Sequence, residues 1–386
     1  MSNKKIGLVV MGRIDVGGGY PRVIYDMIKV LNQIGKEVYL LTPFNPDMQK
    51  VQEFYGKIEI KKLYCLKGLR KTLGLNDILR RWIMKREFLK MAKDVDFIID
   101  VDGRIMDEYL PKSFDKNKYV IWAVSGITSK PLQNNHLLEF KSFRDILKFS
   151  SESLFGFFVK LPNKQTKIYP LDKWTKNMFN GLGLNLKEFL YPPIQTKLFK
   201  FLGKKNKKQI VILGRIDPWK NIEDSIRIFD EGTKDNLEYN LVIIGGVAPT
   251  SREYILKLEE LIDKLGIKAR VKIIKNPSFE EIIKQLKNSE IVIDSQKEVN
   301  ITMTSIEAMA AGCVVLAHKR GGTYTEVLEN GKYGFGFKSI EEGAKKLKEI
   351  IDKLKAKGIN NKESVKRAEN FSLEKFEERL KKIINV

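Results

Sequence analysis

Short runs of aliphatic and β-branched residues alternate along the chain with stretches whose apolar positions recur every three to four residues. In the first half the runs are Ile6–Met11, Glu37–Thr42, Ile58–Tyr64, Phe97–Val101 and Tyr119–Val124. In the second they are Gln209–Gly214, Asn240–Gly245, Arg270–Lys275, Ile291–Asp294 and Cys313–Ala317. Near-continuous apolar runs of this length suit strands buried on both faces, and the intervening period suits helices. The alternation predicts an α/β fold: two Rossmann-like, doubly wound domains facing across a cleft.

Tyr191-Pro192-Pro193 and then the lysine-rich run Lys200–Lys208 separate the halves and suit a solvated connection. The expected domains are therefore 1–195 and 205–370. A last helix, about Ser372–Ile384, puts Leu373, Phe376, Leu380, Ile383 and Ile384 on one stripe. Within 371–386 such a helix could pack back on the first domain, although the stripe does not say which domain it meets.

At 386 residues and 43% apolar content, the chain can bury two cores. No apolar run reaches the roughly 20 residues of a membrane helix. The start passes from MSNKK straight into a strand, without the plan of a signal peptide. Cys65 and Cys313 lack metal-ligand spacing and read as reduced, buried thiols. These features predict a cytosolic protein.

The net charge of +22 is uneven: residues 1–200 hold 35 Lys and Arg against 20 Asp and Glu. The excess concentrates in Lys61–Lys93, with Lys61, Lys62, Lys67, Arg70, Lys71, Arg80, Arg81, Lys85, Arg86, Lys90 and Lys93. Leu79, Trp82, Ile83 and Phe88 interleave them, the pattern of a helix lying in an anionic membrane surface. Leu154–Val159, flanked by Lys148 and Lys160, is a second candidate. The competing reading is a lysine-rich solvated face with its aromatics in the core. Nucleic acid is set aside because no zinc-finger, RNP-type or helix-turn-helix signature is present.

The candidate chemistry lies mostly at predicted strand ends. Asn300–Gly312 (NITMTSIEAMAAG) leads from a strand into a helix opening at Thr304-Ser305-Ile306-Glu307. A helix start offers backbone N–H groups and the positive end of its dipole to a phosphate, with Glu307 placed for sugar hydroxyls. A capping box of Thr304 with Glu307, needing no ligand, fits the same residues. In Gly214-Arg215-Ile216-Asp217-Pro218-Trp219-Lys220-Asn221, Arg215 offers a fork of donors and Lys220 a mobile charge to a diphosphate. Trp219 there reads as a packing residue before a base-stacking one. Gly17-Gly18-Gly19-Tyr20-Pro21 permits close backbone approach to a ligand or forms a plain tight turn. Gly321-Gly322, with Glu326 leading the next helix, repeats that pattern, and Asn330-Gly331 and Gly334-Phe335-Gly336 read as turns. Asp100-Val101-Asp102 is a DxD that could hold a metal, but reads first as ordinary strand-end aspartates. His136 and His318 are the only histidines, so a His-based triad or metal cluster is excluded.

Taken in order, GRIDPWKN, VIIGG (Val242–Gly246), SIEAMAAG, the double-glycine turn and Glu326 resemble the second domain of retaining family 4 glycosyltransferases of GT-B fold. VGGGYPRV, YPPIQTKLF and AAGCVVLAHKRGG resemble more closely the lipid-linked-oligosaccharide α-1,2-mannosyltransferases, which use GDP-mannose. The resemblance implies catalytic roles for Arg215, Lys220 and Glu307: the cations on the donor diphosphate, the carboxylate on the ribose. It implies donor contacts from Gly18, Gly19, Gly214, Glu298, Met303, Thr304, Ser305, Gly322 and Glu326. No metal and no cofactor would be needed beyond the nucleotide-diphosphate sugar itself. The partners implied are that donor, a glycan or lipid-linked acceptor, and an anionic membrane surface met through Lys61–Lys93 on the cytoplasmic, inner face.

Two positions depart from the pattern. The acidic residue usual eight positions before Glu307 is Val299 here, with Glu298 its nearest substitute. The family's first-domain histidine would fall near Val124 or Ser125. A soluble enzyme with a small acceptor, and a catalytically decayed nucleotide-sugar-binding protein, are the alternative expectations.

Overall fold

A computed structural model describes residues 4–66, 77–101, 106–124, 162–201, 203, 205, 208–248 and 251–385, with positions 54 and 77–82 described by backbone alone. The chain divides into two compact units, Met1–Tyr191 with Glu377–Val386, and Pro192–Phe376.

Among the described residues the first unit holds seven strands: β1 (Lys5–Val9), β2 (Glu37–Leu41), β3 (Lys62–Tyr64), β4 (Phe97–Asp100), β5 (Tyr119–Ala123), β6 (Lys167–Pro170) and β7 (Asn185–Leu186). They lie in the order β3-β2-β1-β4-β5-β6-β7, and every ladder is parallel. The second unit holds β8 (Gln209–Leu213), β9 (Asn240–Gly245), β10 (Val271–Lys275), β11 (Ile291–Asp294), β12 (Val314–His318) and β13 (Phe335–Phe337). Their order is β10-β9-β8-β11-β12-β13, again all parallel. Both sheets reverse direction of growth beside their first strand, and ligands of open α/β sheets collect at the carboxyl ends of strands at such a switch point. In the second unit that point is the gap between β8 and β11.

The central apolar runs are buried for the reason their pattern gives, while the edge runs Ile58–Tyr64 and Arg270–Lys275 are mostly half-buried or exposed. Ile210, Ile212, Leu241, Ile243, Ile291, Ile293 and Leu316 form one core with Phe229, Leu258 and Leu347 from the flanking helices. Each such side chain contributes about 1.5–3 kcal/mol on burial. Helix starts are fixed by short polar side chains: Ser278 accepts from Glu281 N, and Ser339 from Glu342 N.

Several expectations need correction. Ile58–Tyr64 pairs only over Lys62–Tyr64. Gly334-Phe335-Gly336, read as a turn, is largely strand, because Phe335–Phe337 completes the ladder beside β12. β6 and β7 were not foreseen; a four-residue strand ending in proline and a two-residue one carry little periodic signal. Cys313 is buried but Cys65 is only half-buried. Lys205, in the run expected to be solvated, is drawn inward: its ammonium donates to Leu286 O at 2.9 Å and Ala311 O at 2.5 Å. The final helix, Leu373–Ile384, buries Phe376, Leu380, Ile383 and Ile384 but only partly Leu373. Its residues from Glu377 onward group with the first unit, where the Lys4 ammonium donates to Ile384 O.

The basic stretch is a helix over Asp77–Asp94. Phe88 is fully buried with Met84 and Met91, so this aromatic belongs to the core and not to a membrane-facing side. Ile83 is half-buried, while Lys85, Arg86, Lys90 and Lys93 are exposed. Lys61, Lys62 and Lys90 already meet Glu37, Asp94 and Glu87 at 3.3, 2.6 and 2.7 Å. The side chains of Leu79, Arg80, Arg81 and Trp82, together with Lys67, Arg70, Lys71, Asp102, Ser125, His136, Lys148 and 154–160, lie outside the described residues. Among the described residues no helix is long and apolar enough to cross a membrane.

Candidate functional site

At the carboxyl end of β8 the chain turns at Gly214, whose φ of 151° is one that side-chain-bearing residues rarely adopt. The ladder with β9 nevertheless continues: Gly214 N donates to Ile244 O at 3.1 Å and Ile216 N to Gly246 O at 2.9 Å. A short 3-10 turn, Pro218–Lys220, follows, with Asp217 accepting from Trp219 N. Asn221, in the left-handed region, starts the helix Ile222–Gly232 and donates through Nδ2 to Ser295 O at 3.2 Å. This turn fixes where the two cations leave the backbone.

Their placements differ. The Lys220 stem lies on Gly214, where an added Cβ would meet Lys220 Cε at 3.1 Å. Its ammonium donates to Gln296 Oε1 at 2.7 Å. Burial pulls the Lys220 pKa below the ordinary lysine value, and the nearby Asp294 carboxylate works in the opposite direction. Arg215 is instead exposed, with Nε 3.3 Å from Asp217. Trp219, read as a packing residue, is 75% exposed.

The carboxyl end of β11 carries a cluster that the sequence reading missed. Asp294 is buried, and its Oδ1 accepts from Gln296 Nε2 at 2.9 Å. Its Oδ2 accepts from the hydroxyls of Thr302, Ser305 and Thr323 at 2.8, 2.9 and 2.9 Å. One carboxylate thus ties a strand end, the start of the next helix and the segment after β12. The spacing of 8, 11 and 29 residues has no local period, although an aspartate ending an apolar strand ahead of a hydroxyl-rich loop is a visible signal.

That helix spans Met303–Ala310, and its N-cap is Thr302, which makes no capping hydrogen bond because its hydroxyl is turned to Asp294. The alternative reading, a capping box of Thr304 with Glu307, does not hold, because Thr304 lies inside the helix and not at its N-cap. Met303 and Thr304 occupy the first two helical positions, where backbone N–H groups lack intrahelical acceptors. Ser305 lies there too, but its hydroxyl is committed inward to Asp294. Glu307 and Glu326 are both buried, at 2% and 1% exposure.

Gly321 and Gly322 allow a close approach, but to the chain's own backbone. A Cβ on Gly322 would meet Asn300 C and Ile301 N at 2.7 Å, and one on Gly321 would meet Gln296 O at 2.7 Å. Glu298, with φ 52°, is exposed and paired with Arg320, while the half-buried Val299 accepts through its carbonyl from Gly322 N at 2.8 Å. His318 is buried and accepts at Nδ1 from Arg320 N at 3.1 Å.

In the first unit Gly18 has φ 144° and precedes the helix Gly19–Gln33; Pro21 falls in its first turn. Tyr55 Oη donates to Val16 O at 2.7 Å, which holds the glycine loop. Asp100 of the DxD is fully buried and accepts from Tyr119 Oη at 2.6 Å. Val124 is half-buried. Among the described residues no group of three or more His, Cys, Asp or Glu could hold a metal ion.

Residues 194–371 match the family described as glycosyl transferases group 1. The human GDP-Man:Man(3)GlcNAc(2)-PP-Dol alpha-1,2-mannosyltransferase is 26% identical over 221 residues, 53% of this chain and 45% of that protein. The chain thus spans less than half the length of the mannosyltransferases it matches. The trehalose synthase of Thermococcus litoralis is 23% identical over 390 residues, 96% of this chain and 88% of that protein. A solved glycosyltransferase from Rickettsia africae ESF-5 superposes with a TM-score of 0.72 at 16% identity, covering 100% of this chain and 99% of that one. Residues 194–371 are therefore a glycosyl transferases group 1 domain, in a chain with the two-sheet α/β fold of GT-B glycosyltransferases.

Proposed function

We propose that this chain is a retaining glycosyltransferase that moves a hexose, mannose from GDP-mannose first, onto a lipid-linked or membrane-presented glycan. The observation that carries the reading is the Lys220 ammonium seated at the β8 strand end and joined through Gln296 and Asp294 to the start of the helix Met303–Ala310. A diphosphate beside Lys220 would receive a charge-assisted hydrogen bond, about 1.5–3 kcal/mol, while the helix amides meet its oxygens. Arg215, exposed on the same turn, adds a fork of donors. Glu307 is assigned to the ribose, and Gly322 and Glu326 to the donor's surroundings.

These groups stabilise the charge that develops on the leaving diphosphate, the part a metal ion plays in other sugar transferases, so turnover without added metal is expected. The acceptor hydroxyl attacks the anomeric carbon on the face from which the diphosphate departs. The carbon–oxygen bond to the acceptor forms as the bond to the diphosphate breaks, and the hydroxyl proton passes to a phosphate oxygen. The anomeric configuration is retained.

The mannosyl donor and lipid-linked acceptor follow the name of the human relative. The exposed cations Lys85, Arg86, Lys90 and Lys93 support a peripheral location on the inner, cytoplasmic face of the membrane. A soluble enzyme with a small acceptor is favoured instead by the trehalose synthase match across 96% of the chain.

The test is turnover of nucleotide sugars with the product anomer read by NMR, in wild type, Arg215→Ala and Lys220→Ala. Loss of turnover in both variants is expected; wild-type rates in both would discard the site assignment. Flotation with anionic vesicles, weakening as salt rises, separates the two acceptor readings. No flotation at low salt leaves the small-acceptor enzyme.

A further inference from the structure

We propose that Gln296, anchored on Asp294, is a positioning residue that holds the Lys220 ammonium over the Gly214 backbone to meet the leaving diphosphate. The inference rests on the donor site described above. Lysine carries a flexible four-carbon stem, so an ammonium at a fixed point needs a fixed acceptor. Gln296 Oε1 is that acceptor at 2.7 Å. Its amide cannot turn over without loss, because Nε2 donates to Asp294 Oδ1 at 2.9 Å. Asp294 in turn is held by the hydroxyls of Thr302, Ser305 and Thr323 on Oδ2. The amide oxygen is thus pointed at Lys220 by a chain of contacts that starts at the helix Met303–Ala310.

The chemistry of the acceptor matters. A neutral amide uses one of the three ammonium donors and leaves the full positive charge for the diphosphate. A carboxylate at the same place would pair with Lys220 and compete with the donor. Burial lowers the Lys220 pKa, so an acceptor favouring the charged form has a definite task.

The experiment measures nucleoside-diphosphate and nucleoside affinity by calorimetry, with kcat and KM, in Gln296→Met, Gln296→Glu, Lys220→Ala and the Gln296→Met/Lys220→Ala double variant. Both Gln296 variants are expected to lose about tenfold or more in diphosphate affinity while nucleoside affinity stays unchanged. In the Lys220→Ala background the Gln296→Met change should have no further effect, since its action runs through the ammonium. Equal losses with and without Lys220, or a loss shared by the nucleoside, would show a merely structural role and overturn the proposal. Should Gln296→Met fail to fold, Gln296→Asn, alone and with Lys220→Ala, carries the comparison. Wild-type diphosphate binding in Lys220→Ala would remove the donor site itself. A loss there, with wild-type binding in both Gln296 variants, removes only the positioning role.

Discussion

The carbonyl oxygen of Gly214 occupies the space where a side chain on Gly245 would begin. The first strand of the domain and its neighbour therefore close on each other at the point where the turn bearing Arg215 and Lys220 leaves the sheet. Gly245→Ala cannot be accommodated by a rotamer change, because the obstacle is backbone. We expect it to destabilise the domain by about 1–3 kcal/mol, the usual cost of overpacking a well-filled site. Diphosphate affinity should fall with it, since Lys220 rests on Gly214. Urea denaturation gives the first quantity and calorimetry the second; an unchanged midpoint would contradict the packing argument.

Arg215 separates binding from stability. Its side chain is exposed and pairs with Asp217 at 3.3 Å, an interaction of small worth in water. Arg215→Ala should therefore shift unfolding by less than about 0.5 kcal/mol. Loss of its forked donors should still weaken diphosphate binding by about 1.5–3 kcal/mol, roughly ten- to a hundredfold. Parallel thermal melts and titrations decide it: a large stability loss would mean that Arg215 serves the fold.

The parallel sheets were legible because eight of the ten apolar runs are buried along most of their length, and burial on both faces leaves a near-continuous hydrophobic signature; the edge runs Ile58–Tyr64 and Arg270–Lys275 are mostly half-buried or exposed. Phe335–Phe337 was not, because two glycines beside Phe335 mimic turn chemistry while the edge of the sheet overrides it. That Arg215 and Lys220 lie on the turn after β8, and that a helix starts soon after β11, could be read from the strand pattern. Asp294 showed only as an aspartate ending an apolar strand, and Gln296 not at all, since their partners Thr302, Ser305, Thr323 and Lys220 come together only in the folded chain. Gly321-Gly322 was read for close approach, and the approach is real; what it approaches is the segment Gln296–Ile301. Trp219 shows the opposite error, an aromatic assumed to pack that the turn instead leaves in solvent.

His318 gives the second unit a pH dependence in the neutral-to-acid range. Its Nδ1 accepts from Arg320 N at 3.1 Å, which requires the unprotonated imidazole. Burial, and then the nearby Lys297, hold its pKa below the ordinary value of 6.5. In the unfolded chain the ring takes up a proton near 6.5, so below that pH the unfolded state binds more protons than the folded one. Stability contributed by the neutral ring is complete above 6.5, declines as pH falls through that value, and levels off below the depressed folded pKa. Protonation would also release Arg320, whose carbonyl accepts from Glu298 N at 3.0 Å and whose guanidinium pairs with the Glu298 carboxylate. Melting temperatures between about pH 7 and 5 should fall in wild type and fall less in His318→Gln, which keeps an acceptor but does not titrate. Identical slopes in the two proteins would show that other groups govern this window.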